Sequence, residues 1–97
     1  MINSNPKSFQ ELLNPIIQRL GWKELYLQSQ IENDWKELLG ENISKVVKIK
    51  KLHNRTLVLK ISSSTWRTEM TLRKEWLMNI INTKYGIDTV TEVIIRG

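Results

Sequence analysis

The chain has 97 residues, of which 40% are hydrophobic and 26% charged, and its formal net charge is +5. This composition is typical of one small globular domain and excludes a coiled coil or a disordered chain. Cysteine is absent, which excludes a disulfide framework and thiolate chemistry. Residues 1–7 are polar and lack a signal-peptide core, and no apolar run approaches the roughly 20 residues that span a bilayer. We therefore expect a cytoplasmic protein with a flexible N-terminus.

The first predicted element is a helix that follows this N-terminus. Ser8 and Glu11 have the spacing of a capping box, in which the serine caps the helix and the glutamate reaches back to it. Apolar residues then recur at helical spacing, and Gly21 can end the helix in the left-handed conformation. Pro15 removes one backbone donor and clashes with the preceding turn, so we expect a kink there or a start at Asn14.

A second helix is predicted from about Leu25 to Leu39. Its buried stripe consists of Ile31, Trp35, Leu38 and Leu39. Gly40 is the expected C-terminal stop. Acidic residues occupy the polar side, which indicates a solvated helix face and not a metal cluster. Residues 8–40 are therefore expected to form a helical N-terminal part.

From Ile43 the hydrophobic period changes to that of a strand. Val47 and Ile49 alternate with lysines, which predicts a half-buried first strand. Residues 53–55 have turn chemistry. Residues 57–61 alternate again, so they predict a second strand antiparallel to the first.

A third helix and a third strand complete the chain. The hydroxyl run of residues 62–65 can cap the helix. Its apolar stripe is interrupted near Thr71, which predicts a bend, and Gly86 ends it. Val90 to Arg96 is rich in β-formers and is predicted to be the last strand.

These elements predict an α+β fold in the order α-α-β-β-α-β, with a three-stranded sheet packed by helices. We expect residues 1–97 to form a single domain. Within it, residues 43–97 would be a ββαβ core that follows the helical part.

Positive charge is concentrated in the predicted hairpin. Seven Lys or Arg residues and no Asp or Glu lie between Asn42 and Thr68, so the net positive charge arises in this window. Alternation along the strands should place Lys48, Lys50 and Lys60 on the non-core side. Such a basic element is an electrostatic footprint for a phosphate backbone.

We therefore predict nucleic-acid binding. Arg67 joins the set because the first turn of a helix presents free N–H groups that favour anions. An edge strand protected by lysines is the alternative, but the acid-free window is longer than edge protection needs. Base-specific readout is not expected, because no recognition helix or pair of aromatics lies in the window. The predicted contact residues are Lys48, Lys50, Lys51, Arg55, Lys60, Arg67, Arg73 and Lys74.

The residues required for catalysis are scarce. His53 is the only histidine and falls in a predicted exposed turn, where a surface role is far more common than catalysis. A zinc site would have too few of its usual ligands. The glycines fall at element ends, so no phosphate loop is present. We expect neither an enzyme, nor a metal site, nor a cofactor.

One segment carries a family resemblance. Leu57–Met70 runs from a strand through a small polar turn to a tryptophan and an acidic–apolar pair, and this order resembles the signature of the DciA family. Trp35 and Gly40 look like the family's upstream Trp and Gly, and Val90–Gly97 looks like its closing strand. The likeness covers about Ile31–Gly97.

The resemblance implies a K-homology-like domain that binds DNA and assists loading or operation of the bacterial replicative helicase, without the ATPase activity of other loaders. It implies DNA more than RNA as a partner, the helicase as a second partner, and a nucleoid-associated location. No membrane or small-molecule substrate is implied. The Gly-X-X-Gly clamp of K-homology domains is absent, so gripping by that loop is not expected.

Two other interpretations stay open. The domain could be a protein-interaction module that docks a partner through its helices, with Trp22, Tyr26 and Trp76 as anchors, because buried aromatics dominate interface energetics. It could also be an RNA-binding K-homology-like domain, since the element order fits equally well.

Overall fold

The computed structural model describes residues 21–97. Within this range the chain forms five helices and three strands. The predicted α+β class and three-stranded sheet are confirmed, and the described elements follow the predicted order from the second helix onward. The first predicted helix, with its capping box and Pro15, lies outside the described residues. The elements are α1 Trp22–Asn33, α2 Trp35–Leu39, α3 Glu41–Val46, β1 Lys48–His53, β2 Thr56–Lys60, α4 Ser64–Leu72, α5 Lys74–Tyr85 and β3 Glu92–Arg96.

The second predicted helix begins earlier than expected and is broken. Gly21, with φ of +80°, stands immediately before α1, so the helix starts at Trp22 and not near Leu25. Asp34 has φ −93° and ψ 2° and separates α1 from α2. The break lets the buried Trp35 side chain donate its indole N–H to the carbonyl oxygen of Val47, at 2.7 Å.

A polar cluster holds this break against the end of α5. The Tyr85 hydroxyl donates to the Asp34 carboxylate and lies 3.2 Å from the Gln30 carbonyl oxygen. Lys84 Nζ lies 3.1 Å from Asp34 and 3.6 Å from Glu37. The Tyr85 hydrogen bond and the Lys84 ammonium lower the pKa of Asp34. The Asp34 hydrogen bond raises the pKa of Lys84, and burial raises that of Tyr85.

The segment from Ile43 is helical, and the prediction of a strand there is wrong. Gly40 ends α2 as predicted, with φ of +86°, and α3 follows it directly. Ile43 and Val46 are three residues apart and both pack against the core, which is the spacing of a helix face. β1 therefore begins only at Lys48, and residues 43–46 of α3 fall in the segment predicted as the ββαβ core.

Strand β2 is the centre of the sheet, antiparallel to β1 and parallel to β3. Asn54 and Arg55 both have positive φ, 48° and 63°, as in the two-residue hairpin turn whose twist suits the flanking strands. The register shifts between Ile49 and Lys51, which makes Lys50 a bulge residue. Without this bulge, simple alternation would turn Leu52 outward; it is instead 6% exposed and joins the core.

The connection from β2 to β3 follows its predicted signals. Ser63 caps α4 by accepting a hydrogen bond from the Trp66 N–H at 3.3 Å. The predicted bend falls at Arg73, which separates α4 from α5. Beyond α5, the Asn82 side-chain amide donates to the Val90 carbonyl oxygen at 2.9 Å and accepts from its N–H at 2.8 Å. This pair of bonds fixes the entry to β3.

The core lies between the helices and one face of the sheet. Leu57 and Leu59 of β2 are fully buried there, together with Val93 of β3. Helix α1 also contacts the outer edge of β1, where Gln28 accepts from the Leu52 N–H at 3.1 Å. We call the face of the sheet opposite the core the outer face.

Candidate nucleic-acid interface

Strand pairing places three cationic side chains in one row across the sheet. Lys48 of β1 pairs with Lys60 of β2, and Lys60 pairs with Arg96 of β3. Directly paired residues share a face, and all three are exposed. Adjacent strands lie about 4.8 Å apart, so the row spans roughly 10 Å. We call Lys48, Lys60 and Arg96 the cation row.

Two shallow depressions border the cation row. They share Lys48 and Lys60 in their linings, so the row is accessible from both. The first, of about 360 Å³, is lined by Lys48, Ile49, Lys50, Lys60, Arg96 and Gly97. The second, of about 420 Å³, is lined by Lys45, Val46, Lys48, Lys60, Ser62 and Ser63. The structure thus brings Lys48, Lys50 and Lys60 to the first depression, where Lys50 stands as a bulge residue outside the regular alternation.

No carboxylate of residues 21–97 lies within ion-pair distance of the cation row. The nearby Lys45 ammonium does have a partner, Glu41, at 3.5 Å, but both side chains are exposed. Lys48 Nζ lies 3.3 Å from a neutral acceptor, the Ser44 carbonyl oxygen. Like charges directly opposite each other destabilise a sheet. Among residues 21–97, the row therefore carries a repulsion that no carboxylate offsets and that a bound anion would relieve.

Two other predicted hairpin residues lie further along the sheet. Lys51 pairs with Val58 on the outer face, one cross-strand pair closer to the hairpin turn than the cation row. Arg55 is exposed at the hairpin turn, at the opposite end of β2 from Lys60 and so about 16 Å away along the strand. The basic residues of the hairpin thus extend along its length, with the cation row at one end.

Arg67 lies near the cation row and makes a structural contact that the sequence did not predict, while its contact with phosphate stays a prediction. Its Nη1 atom donates to the carbonyl oxygens of Ile61 and Ser62, at 2.8 Å each. A Cβ atom added to Gly97 would lie 3.1 Å from the same nitrogen. The guanidinium therefore ties the start of α4 to the end of β2, and at least this nitrogen is already engaged.

Arg73 and Lys74 lie at the break between α4 and α5, in the helix layer, and neither lines the two depressions. Arg73 forms an ion pair with Glu69 at 3.1 Å. Its guanidinium carbon also lies 5.9 Å from the centroid of the Trp76 ring. These two basic residues remain a prediction separate from the cation row.

The aromatic residues predicted to contact a protein do not form one surface. Tyr26 is 62% exposed beside the exposed Leu25 on α1, and Trp22 is half-buried at the start of that helix. Trp76 is 38% exposed near the start of α5, and Leu72 is 78% exposed at the end of α4. The helix layer therefore presents two separate apolar patches.

Sequence reasoning missed Arg96 and Lys45 as site residues. Arg96 comes next to Lys60 only because β3 runs parallel to β2 in this register. Lys45 lies on α3, which the sequence pattern presented as strand. The alternation of Arg96 with Ile95 was the only local signal, and it does not indicate which strand lies next to β3.

Two classes of feature are absent from residues 21–97. No group of three or more His, Cys, Asp or Glu residues lies close enough together there to hold a metal ion. In the same part of the chain, every helix is too short or too polar to cross a membrane.

Fold and site define a small α+β domain with a cationic outer sheet face. The sequence matches the family model described as "Dna[CI] antecedent, DciA" over residues 8–95. Because this match covers most of the chain, the chain belongs to the DciA family, and the predicted resemblance is confirmed. A UPF0232 protein of Corynebacterium glutamicum (strain R) is 26% identical over 91 residues, which are 94% of this chain and 51% of that protein. The chain thus spans about half the length of this curated relative.

Proposed function

We propose that this protein is a non-enzymatic accessory protein that binds DNA and assists loading or operation of the bacterial replicative helicase. The cation row is the observation that carries the binding part of the proposal. Membership of the DciA family supports the helicase part. The two parts are separable, because the cation row lies on the outer face and the apolar patches lie in the helix layer.

The physical basis of binding is relief of repulsion. Lys48, Lys60 and Arg96 stand side by side without a carboxylate of the described residues between them. A phosphate placed over the row attracts each cation and releases the counterions of both partners. Three such contacts would reduce affinity about 20- to 40-fold between 50 and 200 mM salt.

Titration of labelled DNA followed by fluorescence anisotropy tests this proposal. Lys60→Glu should weaken binding strongly at 50 mM salt, because it places a carboxylate in the centre of the row. Lys36→Glu is the matched control, since it makes the same charge change at an exposed lysine of α2. Equal affinity of the two variants, or wild-type affinity that is flat with salt, would contradict DNA binding by the cation row.

A protein-interaction role through the helices is the second candidate function. The exposure of Leu72 and Trp76, and of Leu25 and Tyr26, favours it. Capture of the helicase from a lysate, with and without nuclease, separates the two functions. Capture that survives both nuclease and Lys60→Glu indicates direct docking through the helix layer.

Binding of RNA is tested in the same titration. An unlabelled RNA of the same sequence should compete less well than DNA if the proposal is correct. Stronger competition by RNA would favour the RNA-binding interpretation instead.

A further inference from the structure

The two edges of the sheet differ in how their backbone is covered. The edge at β1 is covered by α1, where Gln28 accepts from the Leu52 N–H at 3.1 Å and Glu24 accepts from the Asn54 N–H. Strand β3 forms the other edge, and no hydrogen bond from another residue of 21–97 reaches its outward side. Natural edge strands are commonly protected by lysine, proline or a bulge, and β3 contains none of these. This edge is therefore open to the addition of a strand.

The backbone groups of β3 point alternately toward β2 and toward this edge. Ile61 donates its N–H to the Arg96 carbonyl oxygen at 2.8 Å, so the backbone groups of Arg96 and of every second residue before it face β2. The residues between them face away from β2. Val93 and Ile95 thus present their N–H and C=O groups outward, while their side chains pack in or against the core.

The sequence of β3 is complementary to itself when two copies run antiparallel. Placing Ile94 opposite the same residue of a second copy brings Glu92 of each copy opposite Arg96 of the other. The same register places Val93 opposite Ile95 of the other copy, so the residues with outward backbone groups meet as hydrogen-bonded pairs. Sliding one copy by two residues keeps these bonds in phase but separates the opposite charges. Charge and backbone direction therefore select one register.

We infer that two copies of this chain associate through β3 and join their sheets into one continuous sheet. The pairing has two-fold symmetry, so each contact occurs twice, as in most homodimers. Each pair of Val93 with Ile95 exchanges two backbone hydrogen bonds, which is the contact that strand addition uses. The ladder is short, so the dimer is reversible and its population depends on protein concentration. This inference goes beyond the proposed function.

The dimer also relieves the repulsion at one end of the cation row. Arg96 is exposed on the outer face, and its neighbour on β2 is the cation Lys60. Glu92 is exposed on the same face and forms no ion pair within residues 21–97. Opposite charges on directly paired strand positions attract. The second copy's Glu92 therefore supplies the carboxylate that Arg96 lacks within its own sheet.

A single introduced cysteine tests the register, because the chain has no cysteine of its own. Ile94→Cys places two thiols in directly opposed, non-hydrogen-bonded positions, where the Cα atoms are about 4.5 Å apart and a disulfide can form. After treatment with oxidised glutathione, we expect a covalent dimer on non-reducing gel electrophoresis. Ile87→Cys is the matched control, since Ile87 is 90% exposed in the loop before β3. It should remain largely monomeric.

Sedimentation equilibrium of the full chain, free of nucleic acid, measures the strength of self-association. Glu92→Arg and Arg96→Glu each replace two attractive pairs by repulsive ones, so each should weaken the dimer about tenfold or more. The double variant Glu92→Arg/Arg96→Glu has opposite charges again and should recover the association, a gain that unfolding cannot produce. Glu32→Arg makes the same charge change at an exposed site on α1 and should leave the association unchanged.

The outcomes are distinct. Association that each single charge variant weakens and the double variant recovers, together with crosslinking through Ile94→Cys, supports the inference. A wild-type chain that stays monomeric at millimolar concentration, with no more crosslinking in Ile94→Cys than in Ile87→Cys, overturns it. Association that neither charge variant weakens also overturns it, because another surface then holds the copies together. Since nucleic acid is absent from both measurements, either failure leaves the proposed DNA binding unaffected.

Discussion

Lys60 and Arg96 lie side by side in paired positions of parallel strands, although the whole of α4 and α5 separates them in the chain. Lys48 flanks Lys60 on its other side. A sheet that placed these three residues for stability alone would alternate their charges, because opposite charges on paired positions attract. The arrangement costs folding free energy, and it concentrates positive potential where a polyanion could reach it.

Neutralising the middle of the cation row should therefore stabilise the fold and weaken DNA binding. Lys60→Gln removes two adjacent repulsions, and we expect the free energy of unfolding to rise by about 0.5 kcal/mol. The slope of log affinity against log salt should decrease by about 1. Urea denaturation and anisotropy measure the two effects. Lys36→Gln, on α2, should show neither; a loss of stability in Lys60→Gln would contradict the repulsion.

The hairpin turn should gain stability when its second residue is glycine. Arg55 has φ of +63°, a conformation that costs an ordinary L-residue roughly 1–2 kcal/mol. Glycine accepts it freely but has a more flexible unfolded state. We expect Arg55→Gly to raise the free energy of unfolding by about 0.5–1 kcal/mol. Arg55→Ala keeps the strained conformation and serves as the control in thermal denaturation; equal gains in both variants would exclude the conformational explanation.

Arg67 should matter more for stability than for DNA binding. Its Nη1 atom satisfies the carbonyl oxygens of Ile61 and Ser62. A hydrogen bond from a charged donor contributes about 1.5–3 kcal/mol, so Arg67→Gln should lower the free energy of unfolding by about that amount. Its affinity for DNA, measured where the variant is folded, should fall less than that of Lys60→Gln. A larger loss of DNA affinity in Arg67→Gln than in Lys60→Gln would indicate that Arg67 contacts phosphate.

The cluster around Asp34 should make stability depend on pH in the acidic range. Because the folded-state pKa of Asp34 is lowered from its ordinary value of 3.8, its contribution is fully present above that value. The contribution is lost as the pH falls through the lowered, folded-state pKa. Tyr85→Phe removes the largest cause of the shift and should flatten the acid limb of the stability curve. Urea titrations at pH 7 and pH 3 measure the free energy of unfolding at each pH. A difference between the two values that is the same in Tyr85→Phe as in the wild type would contradict the prediction.

A complementary change is expected at alkaline pH. The pKa values of Lys84 and Tyr85 are both raised, so their contributions are present below their ordinary values. These contributions are lost as the pH rises through the raised values. Asp34→Asn removes a cause of both shifts, and it should reduce the alkaline dependence in the same urea titrations.

Local signals predicted much of the fold. Ser63, Gly40 and Gly86 act at element ends by capping or by adopting backbone angles that few residues tolerate. The alternation in β2 predicted its buried face. Each of these signals depends on a few neighbouring residues, so it can be read without knowledge of the rest of the molecule.

The errors concern features that tertiary packing decides. Ile43 and Val46 fit a strand as well as a helix, and their burial against the core selects the helix. The neighbour of Lys60 depends on the direction and register of β3, which no residue of β2 specifies. The structural contact of Arg67 was also missed, because only the path of the chain around Ile61 places two carbonyl oxygens within its reach.

The bulge at Lys50 makes the hairpin tolerant of a change in chain length at one position. Removing that residue would join Ile49 and Lys51 in a regular ladder, and both would keep their present partners on β2. A deletion at a regularly paired position, such as Ile49, would invert the side chains on one side of the cut. Homologous chains should therefore differ in hairpin length at this point while preserving the pairing of Lys48 with Lys60.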